Sequence, residues 1–219
     1  MSKRTAKRIF NYLFGLFLIT LGVGFSIKSN LGSTPVSSIP YTLNIIWGIE
    51  IGQATIIFHS FLVLVELLLL RSNFKPKHFL QVFVGVLFGY FTSFSLYLTG
   101  LIPDPSNILI SIGLIVLSIF LVALGLFFYV PANIIPLSVE GVTQAIAIVS
   151  NNPFPKIKVY FDVTIVLSSF VLCYVFLHII GGSVGIGTII SAIFVGITLK
   201  YIQKLHRRIT GAPVDLKKM

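Results

Sequence analysis

Six stretches of this chain are almost free of charge and each is long enough to cross a lipid bilayer: residues 9–27, 54–70, 79–98, 108–130, 159–180 and 186–202. A bilayer core takes about 20 apolar residues of helix, and a backbone in lipid must satisfy its own hydrogen bonds. The sequence therefore predicts an all-α, polytopic membrane protein with six transmembrane helices. Two further apolar segments, residues 35–47 and 137–149, are too short to span and fall in the class of re-entrant or interfacial helices. Composition agrees: 56% of the 219 residues are hydrophobic and 10% charged, against about 25% charged in a soluble domain.

The net charge of +10 would suit a nucleic-acid binder, but the basic residues gather at span ends, where they orient helices. No nucleic-acid partner is expected; the lipid bilayer is. Lys3, Arg4, Lys7 and Arg8 place residues 1–8 in the cytoplasm. With six crossings, Arg71, Lys75, Lys77, Lys156, Lys158 and the basic cluster from Lys200 to Arg208 fall on that same side, as does a polar tail over residues 206–219. A seventh crossing by residues 35–47 would move Arg71, Lys75 and Lys77 outside. The first run reads as an uncleaved helix, since no small-residue cleavage site follows it. Cys173 is the only cysteine, and the four histidines have no zinc-motif spacing. No metal, cofactor or catalytic set is expected, and the chain does not read as an enzyme.

The halves resemble each other. At an offset of 103 residues, Leu21, Gly22, Phe25, Asn30, Val36 and Phe58 fall on Leu124, Gly125, Phe128, Asn133, Val139 and Phe161, and the two short segments overlay. With a few inserted residues Gly89 falls on Gly196. Residues 9–103 and 104–205 thus form two membrane repeats. Each has three spans, an odd number, so the repeats are inverted, a plan that recurs with broken helices in secondary transporters.

The break Leu21-Gly22 to Phe25 with the run LGSTP (31–35), the weaker copy before Val139-Glu140-Gly141, and GIGTIISAIFVG (185–196) resemble the YczE/YitT group of bacterial integral membrane proteins. The resemblance covers residues 8 to 205 and implies a multi-pass protein of the bacterial plasma membrane with both termini cytoplasmic. Members of the YitT branch often carry a soluble C-terminal domain; none is expected here, about fifteen residues following the last span.

The candidate site residues lie around the two breaks. Ser33 or Thr34 is expected to cap the first short helix with Pro35 in its first turn, and Pro136 to open the second. Free N–H groups at such helix starts attract anions, and Lys28 stands beside the first. Val36, Ile39, Leu43 and Ile46 form one face; Ser37, Tyr41 and Asn44 form the other, with Ser38 at its edge. Glu140 and Gln144 are i, i+4 neighbours in the second copy. Converging at a pseudo-two-fold axis, these faces would line one site, with hydrogen bonds from Asn30, Asn133, Ser37, Ser38, Ser138 and Gln144; lying flat in the interface, they would only connect spans. His59 and Asp162 fall within the first turns of equivalent helices and could gate or couple, or sit solvated near the headgroups with Asp162 paired to Lys158. Glu66 has Arg71 as its nearest partner in sequence. Gly85/Gly89 and Ala192/Gly196 are small-residue patterns for close helix packing, and residues 181–187 read as a tight turn.

These features predict a secondary transporter of a small polar, anionic or zwitterionic solute, bound between the broken segments. The alternative is a non-transporting binding module, such as a substrate-capture subunit of a larger importer. A homo-oligomer stays open on either reading.

Overall fold

The structure is a computed structural model, and it describes residues 3–179 and 181–210. Every regular element among them is a helix: α1 (Lys3–Lys28), α2 (Ser38–Trp47), α3 (Ile51–Leu70), α4 (Leu80–Gly100), α5 (Ile108–Ala132), α6 (Ser138–Val149), α7 (Phe154–Leu177) and α8 (Ile186–Thr210), with short 3₁₀ turns before α2 and between α3 and α4. Six of them are long and apolar enough to cross a membrane. Their outward faces carry Phe61, Leu68, Phe83, Leu109, Val159, Phe176 and Ile209 in the open, far more exposed apolar side chain than water tolerates. Lipid is the solvent that suits these faces, and the chain is a multi-pass membrane protein.

Several helix limits differ from those expected. α3 starts at Ile51 because Glu50 caps it, accepting from the Gln53 N–H. α7 starts at Phe154, after Pro153 and with a proline in its first turn, so Lys156 and Lys158 are helical. His59 and Asp162 are consequently not in first turns; each stands roughly two turns into its helix. Pro35 opens a 3₁₀ turn, Pro35–Ser37, and α2 proper begins at Ser38 with no side-chain cap bond, so neither Ser33 nor Thr34 occupies its cap position. Pro136 lies just before α6. Residues 211–219 of the expected tail lie outside the described residues.

The order long, short, long, long occurs twice. Left-handed residues recur with it. Asn30 (φ 56°) and Asn133 (φ 45°) follow α1 and α5, Gly48 (φ 68°) and Asn151 (φ 51°) follow the short helices, and Arg71 (φ 46°) and His178 (φ 55°) end α3 and α7. The first two pairs keep the offset of 103 residues, and the third keeps that of Gly89 and Gly196. The left-handed conformation ends a helix by letting the next N–H turn back on its last carbonyls.

The chain divides into two compact units. They cut across the two halves of the chain: one holds α1, α5, α8 and the end of α4, the other α2, α3, α6, α7 and the first part of α4. In the first unit α1 and α5 cross backbone to backbone. A Cβ added at Gly15 would stand 2.7 Å from the Gly125 carbonyl oxygen, and one at Gly22 would stand 2.9 Å from that of Ser118. As residue numbers rise on α1 they fall on α5, so the helices are antiparallel. The two contacts also exchange under the offset, since Gly15 corresponds to Ser118 and Gly22 to Gly125. Close backbone approach replaces the hydrophobic drive that lipid removes. The apolar stretch of α1 is 56% buried and that of α8 17%, which marks α1 as the interior helix of this unit.

In the second unit α2 packs on α7 and α6 on α3, again a pair that exchanges under the 103-residue offset. Phe58, Leu62, Val139, Val142 and Ile165 form its core, flanked by Val36, Ile39 and Ile146. Gly85 and Gly89 seat α4 on α3: a Cβ at Gly85 would meet that of His59 at 2.7 Å, and one at Gly89 would lie 2.6 Å from the Gly52 carbonyl. The corresponding Gly196 has nothing within 4 Å, so this half of the small-residue pattern makes no close crossing among the described residues.

Candidate functional site

Lys28, Asn30, Ser33 and Thr34 belong to the first unit. Lys28 Nζ is held by Asp104 at 2.6 Å, the lysine 15% and the aspartate 84% exposed. An ion pair so open to solvent contributes at most about 1 kcal/mol, but it occupies the charge expected to meet an anion. Asn30 and Asn133 are exposed turn residues whose role is conformational, and Ser33 and Thr34 are buried.

The second unit holds the other candidates. What its two short helices share is the apolar cluster, on which Ile39 of the first, Val36 of the 3₁₀ turn before it and Ile146 of the second pack. The polar residues of α2 that are most buried are Ser38 and Thr42. Ser38 Oγ donates to the Pro35 carbonyl at 2.8 Å and accepts from Ser169 Oγ at 2.9 Å. Thr42 pairs with Ser183 and receives a weak contact from Cys173 Sγ at 3.9 Å. These hydroxyl bonds tie α2 to α7 and to the turn that follows it. Ser37 is buried, Tyr41 half-buried and Gln144 exposed.

Around α6 the groups are ionisable. His59 is 1% exposed, and its Nδ1 shares a hydrogen bond of 2.8 Å with Ser138 Oγ. Removing that partner strands a buried ring nitrogen, at a cost of roughly 1–3 kcal/mol. Ser138→Ala is therefore expected to lower the thermal unfolding midpoint in detergent clearly more than Ser169→Ala, because Ser38 keeps its bond to Pro35. Equal losses would show that the His59 bond contributes little.

Glu140, three residues after the Leu137 cap, turns back on its own helix start and accepts backbone hydrogen bonds from Leu137 and itself, as the acidic member of a capping box does. The anion-attracting end of α6 is thus filled by the chain's own carboxylate. Its second oxygen, Oε2, is buried and has no hydrogen-bond partner. The Lys158–Asp162 pair lies within electrostatic reach, so Asp162 is engaged by Lys158, one turn earlier.

Glu66 is 3% exposed and does not turn to Arg71, which lies in the open. Its Oε1 is 3.1 Å from His78 Nδ1, an ion-pair distance, though the angles do not make a hydrogen bond. Gln81 bonds to the same carboxylate. Both side chains press on Gly141 of α6: a Cβ there would lie 2.7 Å from Glu66 Oε2 and closer still to Gln81 Oε1. Sequence reasoning missed His78 and Gln81. The only available signal was their spacing of three, one helical turn, across the start of α4.

A family model described as a family of unknown function (DUF6198) matches residues 6–204. The chain belongs to this family. No curated protein and no solved structure matches it. The DUF6198 match runs from α1 into α8, so both halves and every residue of the buried cluster lie within the family's domain. Among the described residues of this DUF6198 protein no group of three His, Cys, Asp or Glu side chains could hold a metal ion.

Proposed function

We propose that this DUF6198 protein is a secondary transporter of a small polar solute, working in a bacterial plasma membrane with both termini cytoplasmic and related to the YczE/YitT group. The observation that carries the reading is the convergence of three ionisable side chains, the buried His59 and Glu66 and the half-buried Glu140, on α6, a helix too short to span. Ionisable groups inside a membrane are costly and mark solute or proton pathways. The antiparallel α1–α5 crossing and its exchangeable contacts support the inverted-repeat plan of such transporters. With Lys28 paired to Asp104 and Glu140 filling the end of α6, the chemistry favours a zwitterion over a simple anion. Its amino group would meet Glu140 Oε2, and Ser138, Gln144 and Tyr41 would supply hydrogen bonds.

Purified protein in liposomes, offered amino acids, amines and carboxylates in turn, tests this. Uptake of a zwitterion driven by an ion gradient without ATP is expected, falling at least about tenfold in Glu140→Gln, the equivalent of about 1.4 kcal/mol. If no solute class crosses with folded protein, or uptake requires added ATPase subunits, the transporter reading fails and the binding-module alternative takes its place.

A further inference from the structure

The two halves place different chemistry at one shared contact. Under the offset of 103 residues Ser38 corresponds to Gly141, and Ser169 to Glu66. In one copy the pair is Ser169 and Ser38, two buried hydroxyls 2.9 Å apart, each with a backbone carbonyl as a further acceptor. That pair is closed: every hydroxyl proton has a destination. In the other copy the short helix offers a bare Cα at Gly141, and the long helix offers a carboxylate. Glu66 Oε2 and Gln81 Oε1 both stand against Gly141, both buried, and neither has a hydrogen-bond partner. The Gln81 amide bonds to the carboxylate, yet these two acceptor oxygens are left without a donor, an unfavourable state that a proton on the carboxyl group would relieve. His78, whose side chain is 19% exposed against 4% for that of Glu66, stands 3.1 Å away on the solvent side.

We infer that Glu66 is a proton-exchange site, filled and emptied through His78, with Gln81 Oε1 receiving the carboxyl proton once it is bound. In loading, the His78 Nδ1–H bond breaks and an O–H bond forms on Glu66. The imidazolium and carboxylate charges cancel, and the neutral imidazole takes its next proton from water. Carboxyl rotation then turns the O–H toward Gln81. A proton suits the geometry better than a metal cation, because an imidazole passes protons and the cluster offers only two free oxygens. The charged surroundings are few. Lys75 and Lys77 flank His78, Arg71 follows α3 in the open, Glu140 precedes Gly141 and faces Lys158 and Asp162, and α2 carries no charge. The coupling of this proton to solute movement rests on the transporter reading; the exchange itself does not.

Infrared difference spectra of the full-length protein in lipid nanodiscs, titrated between about pH 5 and 9, report carboxyl protonation without any solute. A carboxylic C=O band that grows on acidification, disappears in Glu66→Gln and persists in Glu140→Gln is expected. His78→Asn should slow its appearance after a pH jump at least tenfold. The inference is overturned if Glu66→Gln leaves the carboxyl bands unchanged, if the band follows sodium at fixed pH, or if His78→Asn leaves the rate untouched. A titrating Glu66 band in a protein that moves no solute upholds the exchange site and sinks transport alone.

Discussion

A single methyl group at Gly125 is expected to break the packing of α1 on α5. The added Cβ would stand 2.6 Å from the Gly15 carbonyl oxygen and 2.8 Å from the Ile19 backbone nitrogen. Both neighbours are backbone in the middle of a helix, so neither can swing aside, and the helices must separate along the crossing. Overpacking in a rigid core costs about 1–3 kcal/mol, and here every close contact in the crossing is lengthened at once. Gly125→Ala should give aggregated protein by size-exclusion chromatography, or a large fall in unfolding temperature. Gly113 lies on the same helix with nothing within 4 Å of its would-be Cβ. Gly113→Ala should be neutral, or stabilising by up to about 1 kcal/mol through helix propensity. If the two variants behave alike, the crossing is not where the stability of α1 resides.

The second large effect concerns function without loss of fold. The double variant Glu66→Ser/Gly141→Ser copies into one half the Ser169–Ser38 pair already present in the other. It removes a buried carboxylate and supplies two hydroxyls that can satisfy each other, so its stability should equal or exceed that of the parent. On the transporter reading, solute uptake in liposomes should nevertheless fall below detection, because the titratable group is gone. Retained uptake with a stable fold would show that the asymmetry between the halves has no bearing on transport. Gly141→Ala is the milder form of the same test. Its methyl group meets the ends of the Gln81 and Glu66 side chains, which can shift, so the fold should survive while uptake drops.

The spans were legible because lipid imposes a single demand, a long uncharged helix, and the sequence meets it six times. The two short helices were legible from the polar breaks and prolines before them. Helix starts were less so: Lys156 and Lys158 look like loop residues, yet prolines at the start of α7 carry the helix through them. The buried faces of the short helices were misread for a different reason. Ser38 reads by spacing as the edge of an open polar face, but its partner, Ser169, lies more than a hundred residues away and becomes visible only once α7 packs on α2. Glu66 was assigned to Arg71 by sequence distance. The chain turns between α3 and α4 and brings His78 and Gln81 to it instead. Local pattern carries periodicity and charge; it does not carry which of two nearby cations a buried carboxylate will meet.

The Gly15–Gly125 crossing also sets an order of events during synthesis. α1 leaves the ribosome first, but the helix that covers its glycines ends only at Ala132. At about 5–20 residues per second, α1 waits roughly 5–20 s for that partner. Throughout the wait Gly15 and Gly22 present bare backbone to the lipid or to the insertion machinery. The first half of the chain must therefore persist in the membrane as an incomplete assembly, its innermost helix standing temporarily outermost, until α5 arrives in the opposite direction and closes over it.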